Sequence, residues 1–212
     1  MIMFPLNVLM FGVEKLELRH RLLEFVFPAF VVFALWLDGW FYPLVLLPLL
    51  YVKFVNKRGL EWIGFGGRNI LSSGLLGVCS SLGAILAWYV FFVYYSPNLE
   101  SVSLTPYVLF TDVLWYPFYE EVAYRGFALA YLVPGEISVS SSRGFVGNLA
   151  QALLFVSVHH KYVTSGIPLF LAPVLLLGLA NGFIFLKTRN IFGCFLCHSL
   201  ANTLALLIRL LT

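Results

Sequence analysis

Charge is scarce in this chain. Only 11% of its 212 residues are Asp, Glu, Lys or Arg, and 61% are hydrophobic. Ordinary soluble domains carry roughly 25% charged residues. The imbalance excludes a solvated globular surface and implies a polytopic membrane protein whose core is the helix bundle itself. The net charge is only +3, and no basic patch with interleaved aromatics is present, so a nucleic-acid partner is not expected. Cysteine is nearly absent. Cys79, Cys194 and Cys197 all lie in apolar runs, where a free thiol behaves as a small hydrophobe and no disulfide framework forms. There is no His-Glu-x-x-His signature. No internal repeat, low-complexity segment or soluble domain is visible. The N-terminus lacks a basic n-region and a small-residue cleavage site, so no cleaved signal peptide is expected.

What is present is a series of long apolar runs. Residues 1–13 are apolar but too short to span a bilayer. Spans are expected at about 22–37, 40–55, 71–95, 106–132, 144–160, 168–186 and 191–211. The expected fold is therefore an all-α integral membrane protein, a bundle of about seven transmembrane helices around a polar intramembrane cavity. Residues 59–69 form a glycine-rich connector with Trp62 and Phe65, suited to lying at the membrane surface. With the N-terminus inside, the inner segments hold Lys15, Arg19, Arg21, Lys53, Lys57, Arg58, Arg68, Arg143, Lys187 and Arg189, and the outer ones only Lys161 and Arg209. That asymmetry predicts a cytoplasmic N-terminus.

The fourth run contains Glu120, Glu121 and Arg125. Each charge at membrane depth costs at least ~2.5 kcal/mol on insertion scales, so such groups face a bundle interior. Glu121 and Arg125 are i,i+4 neighbours and can pair. Glu120 points about 100° away and is left for another partner. Pro117, one turn earlier, removes a backbone hydrogen bond and predicts a local kink. Taken alone, the charged pair also admits the lesser reading of an ion pair that locks helix packing. Two other runs carry polar groups. His159 closes the fifth, with His160 beside it, and His198 and Asn202 share a face of the seventh. At ~1.5 Å per helical residue, Glu120 lies ~18 Å from the inner end of its span, His159 ~22 Å, His198 ~10 Å and Asn202 ~16 Å. With ordinary tilt these groups can meet in one partly hydrated layer, which makes their burial tolerable. A carboxylate withdrawn from bulk water can act as a general base near neutral pH. A histidine beside it can orient a water, and a second histidine and an amide can donate to an oxyanion. Base, water and oxyanion donors together suit amide hydrolysis without a covalent intermediate.

The three clusters resemble the motifs of the CPBP family, which comprises CAAX-processing type II proteases and bacteriocin-immunity (Abi) proteins. Glu120-Glu121-x-x-x-Arg125, Phe155-x-x-x-His159 and His198-x-x-x-Asn202 occur in the family's order on successive runs. The 59–69 connector and Asn190-Ile191-Phe192 are also similar. The resemblance covers residues 60 onward and implies a single membrane domain, residues 1–212, in which an N-terminal segment and two helices (1–58) precede a catalytic core (59–212). It implies an intramembrane endopeptidase in a prokaryotic cell membrane. Its substrate would be a membrane-associated or lipidated peptide or protein, with or without a prenyl group. By carry-over Glu120 is the general base, His159 its partner on the water, and His198 and Asn202 the oxyanion site. Glu121 and Arg125 support the cavity. His160 and Asp112 match no motif position.

No cofactor is expected, because the resemblance implies a glutamate-activated water. The alternative is zinc held by Glu120, His159 and His198. Cys194-x-x-Cys197-His198 also matches a haem-attachment pattern, but it lies inside an apolar run and His198 already belongs to a motif. Two other readings stay open: a family member that binds peptide without cutting it, and a small transporter, which would call for inverted repeats that the chain does not show.

Overall fold

The computed structural model describes residues 46–95, 104–135, 140–160, 163 and 168–211. Every regular element among the described residues is helical. Helix α1 (46–55) runs from Leu46–Leu50 into a wider π-type turn, Tyr51–Val55. A short 3-10 turn, Leu60–Ile63, leads to α2 (Ile70–Tyr95). Helix α3 (106–132) alternates α geometry with π-type stretches at Leu109–Trp115 and Val122–Leu129. Helices α4 (Ser142–Ser157), α5 (168–188) and α6 (Phe192–Leu211) follow. The expected N-terminal segment, the first span and residues 40–45 of the second lie outside the described residues, so the structure does not establish a count of seven spans.

Helix starts follow local chemistry. Thr105 caps α3, its hydroxyl accepting the Val108 N–H at 3.2 Å, with Pro106 in the first turn. Ser141 caps α4 by accepting the Gly144 N–H at 3.0 Å. Both side chains satisfy donors that a helix start leaves orphaned. Helix α4 stops at Ser157, and 158–160 form a turn. His159 therefore sits just past the helix end rather than inside a span.

By length and composition, α2 over Ile70–Phe92 and α5 over Pro168–Thr188 can cross a membrane; Phe192–Ile208 of α6 is apolar but shorter. Helix α3 carries Asp112, Glu120, Glu121 and Arg125, so the groups that build its polar face also lower its hydropathy. The outer face of α2 is apolar: Leu71, Leu75, Leu82 and Leu86 are all more than half exposed. Water would disfavour that stripe and lipid would not.

Helix α6 packs chiefly on α2, and α4 on α5. The α2–α6 seam is closed by glycine. A Cβ at Gly193 would stand 2.0 Å from the Ser73 carbonyl oxygen, and the Gly193 N–H instead donates to Ser73 Oγ at 2.9 Å. Gly193→Ala is expected to cost about 1–3 kcal/mol through overpacking against backbone, read as a lower denaturation midpoint of the purified protein.

The connector does not lie loose on a surface. Ile63 is fully buried, and a Cβ at Gly126 would meet the Ile63 carbonyl oxygen at 2.8 Å. Trp62 packs on Tyr131 and Phe65 on Phe118, so the connector docks onto α3. Asn190 ties it to the α5–α6 turn. Its Nδ2 donates to Gly66 O at 2.6 Å and Arg68 O at 3.0 Å, while its Oδ1 accepts the Phe192 N–H at 2.9 Å. Docking wins because one amide satisfies two connector carbonyls and one helix-start N–H that would otherwise be buried unpaired.

Candidate active site

The site grows from a carboxylate with no access to solvent. Glu121 and Arg125 are both 0% exposed on α3 and pair at 3.0 Å, as their spacing predicts. The guanidinium also donates to Gly178 O on α5 at 3.2 Å and lies 4.6 Å above the Phe155 ring of α4. A desolvated cation over a ring contributes about 2 kcal/mol. Three helices therefore hold one arginine.

His198 of α6 joins the two acids. Its Nδ1 is 2.8 Å from Glu121 Oε1, and its Nε2 is 3.6 Å from Glu120 Oε2. Glu121 Oε1 also receives the Arg125 and Asn181 donors, so at the 2.8 Å contact the imidazole must be the donor and Nδ1 carries hydrogen. Glu120 is the more accessible acid, with a side chain 15% exposed against 0% for Glu121. Tyr119 Oη donates to its Oε1 at 3.4 Å. A partly accessible carboxylate against a fully enclosed one is the arrangement a water-activating base and its support would need.

Phe155 explains the second cluster physically. Its buried ring makes edge contacts with Tyr124, His159 and His198 at 5.2, 4.9 and 5.8 Å. It fills the space between α3, α4 and α6. His159 Nδ1 is 2.8 Å from Phe155 O. A carbonyl only accepts, so this nitrogen donates and Nε2 is the acceptor of the neutral ring. His160 is exposed.

Asn202 has a partner that sequence spacing does not foretell. Before Pro117 the helix widens, and the Tyr116 N–H bonds Thr111 O rather than Asp112 O. The next wide-turn donor for Asp112 O would be residue 117, which is proline and has no N–H. The orphaned carbonyl accepts Asn202 Nδ2 at 2.8 Å instead. The backbone thus widens where it meets the proline, and the Asp112 carboxylate accepts the Thr111 hydroxyl at 3.0 Å.

The structure brings Glu120, Glu121, Arg125 and His198 into direct contact, and sets His159 against the same aromatic ring. Among the described residues no group of three or more His, Cys, Asp or Glu side chains could hold a metal ion. Glu120, His159 and His198 do not form such a group. The haem-like pattern is accounted for otherwise: Cys194 Sγ donates to Asn181 O at 3.2 Å, and His198 is engaged by the acids. Sequence reasoning missed Asn148, Gln151 and Asn181, although polar side chains in apolar runs were the available signal.

These features define a class: a helical bundle, apolar outside, that gathers an acid pair, an arginine and histidines within. Comparison supplies the family. Residues 102–204 match the family model of the Type II CAAX prenyl endopeptidase Rce1-like proteins. That stretch is just under half of the chain, and it takes in all three motifs. Over that stretch the chain is similar to the CAAX prenyl endopeptidases of the CPBP family. The match does not reach α1, the connector or α2. No curated protein and no solved structure matches the chain.

Proposed function

We propose that this protein is an intramembrane endopeptidase that hydrolyses a peptide bond of a membrane-associated or lipidated substrate with a glutamate-activated water. The observation that carries the reading is the bridge from Glu120 through His198 to Glu121, enclosed by α3, α5 and α6. Glu120 takes a proton from water, and His159 Nε2 accepts the water's other hydrogen as a hydrogen bond. The water oxygen attacks the scissile carbonyl carbon. His198, with hydrogen on Nε2 as well as on the Nδ1 that Glu121 holds, and Asn202 donate to the resulting oxyanion. The C–N bond then breaks, and the proton held by Glu120 goes to the leaving amine. Glu121, held by Arg125, keeps His198 oriented, as a carboxylate orients an imidazole in hydrolytic triads.

The test is cleavage by the full chain reconstituted in bilayers, with peptides that carry or lack a C-terminal prenyl group, with and without a strong chelator. Cleavage unchanged by chelator supports the proposal. Cleavage lost to chelator and restored by zinc would overturn its mechanism, and binding without cleavage would overturn the enzyme reading.

The proline and Asn202 are linked in this account. Pro117→Ala restores an N–H that competes for Asp112 O and releases Asn202. Turnover is expected to fall about tenfold, since removing an oxyanion donor outright costs about 10²–10³. The melting temperature should stay level or rise, because the helix regains a backbone bond. Turnover and melting of the same preparation check both.

A further inference from the structure

We propose that Asn181 is a positioning residue of the hydrolytic centre, one that holds Glu121 so that Glu121 presents His198 to Glu120. The inference deepens the protease reading and rests on it for its catalytic consequence. Asn181 lies in α5, outside all three motifs and fully buried. It interrupts an otherwise apolar run, Leu175-Leu176-Leu177-Gly178-Leu179-Ala180-Asn181-Gly182-Phe183. Burying an amide there without a partner costs about 1–3 kcal/mol. Its Nδ2 spends its bond on Glu121 Oε1, at 2.9 Å. The same oxygen receives Arg125 Nη1 at 3.0 Å and His198 Nδ1 at 2.8 Å. Donors from α3, α5 and α6 thus converge on one atom. Glu121 Oε2 has no hydrogen-bond partner among the described residues, so the carboxylate is committed through Oε1 alone.

Helix α5 grips both members of the ion pair. One turn before Asn181, Gly178 O takes Arg125 Nη2 at 3.2 Å and Gln151 Nε2 at 2.9 Å. The carbonyl holds the cation while the amide three residues on holds the anion. An asparagine serving only as interhelical glue could bond any backbone group. This one bonds the carboxylate that sets the imidazole. Without it, Glu121 keeps Arg125 and His198 but loses its tie to α5. Its side chain can then turn toward the arginine, and His198 loses the donor geometry that aims Nε2 at Glu120.

The experiment uses the full chain in lipid nanodiscs, wild type against Asn181→Leu, which keeps volume and removes the donor, and Asn181→Asp, which replaces the donor with an acceptor. Two quantities are read: the ¹⁵N resonances of His198, which report which ring nitrogen carries hydrogen, and kcat and KM per folded enzyme for a cleaved peptide. The proposal expects both variants to lose the wild-type Nδ1–H signature, with kcat down about ten- to a hundredfold and KM within about twofold. If Asn181→Leu does not fold, Asn181→Ser is read in the same way. A folded variant with the wild-type His198 signature and kcat would overturn it. So would a loss of folded protein with kcat per folded enzyme unchanged. If the wild type cuts no peptide, the protease reading fails, while the His198 resonances still decide the role of Asn181.

Discussion

Glu120→Gln is expected to lower peptide turnover by about 10²–10⁴-fold, the usual contribution of a positioned general base, while peptide affinity stays within about twofold. The substitution is nearly isosteric. A glutamine carbonyl still accepts the Tyr119 hydroxyl that now reaches Glu120 at 3.4 Å, so the local packing has no reason to change. What disappears is the ability to take a proton from water. Glu120 suits that role because its side chain keeps some access while Glu121 has none. Parallel measurement of turnover and binding separates this account from a peptide-binding scaffold, which would show no turnover and would bind peptide equally after Glu120→Gln.

Arg125→Met is expected to destabilise the fold by about 3–5 kcal/mol, because it leaves a buried carboxylate uncompensated. Methionine approximates the length of the aliphatic stem, so most packing survives and the loss is chiefly electrostatic. Gone are the 3.0 Å contact to Glu121, the 3.2 Å bond to Gly178 O and the cation over the Phe155 ring. Glu121 would retain Asn181 and His198, neither a permanent cation. The double variant Glu121→Gln with Arg125→Met should recover a good part of the loss, since it removes the stranded charge. Denaturant unfolding of the four proteins in one double-mutant cycle measures this. A loss below about 1 kcal/mol in the single variant would mean that the pair is effectively solvated.

Much of this architecture was legible in the sequence. Hydropathy located α2 within one residue of its start, and the Glu121–Arg125 pair followed from helical spacing alone. Depth along their runs allowed Glu120 and His198 to share a layer, and the contact between them is seen only in the structure. The missing pieces share one cause: contacts between helices far apart in sequence leave no periodic trace. Asn181 gave no spacing signal because its partner is 60 residues away. The Asn202–Asp112 bond depends on a widened helix before Pro117, and a propensity reading supplies only the proline. The connector's Trp62 and Phe65 suggest a membrane-surface segment, and spacing gives no sign that the bare surface at Gly126 admits the Ile63 backbone. The likeness to a protease family indicated which residues to group. The coordinates add that Phe155 is the common wall behind His159, His198 and Arg125.

The central claim is that water activated at Glu120 is itself the nucleophile. It is tested most directly by cleavage in bilayers in H₂¹⁸O, with hydroxylamine present and the products weighed. The account predicts one ¹⁸O in the new C-terminal carboxylate, no hydroxamate, and no product from Glu120→Gln. A hydroxamate would reveal an acyl-enzyme and contradict it, as would equal cleavage by the two proteins.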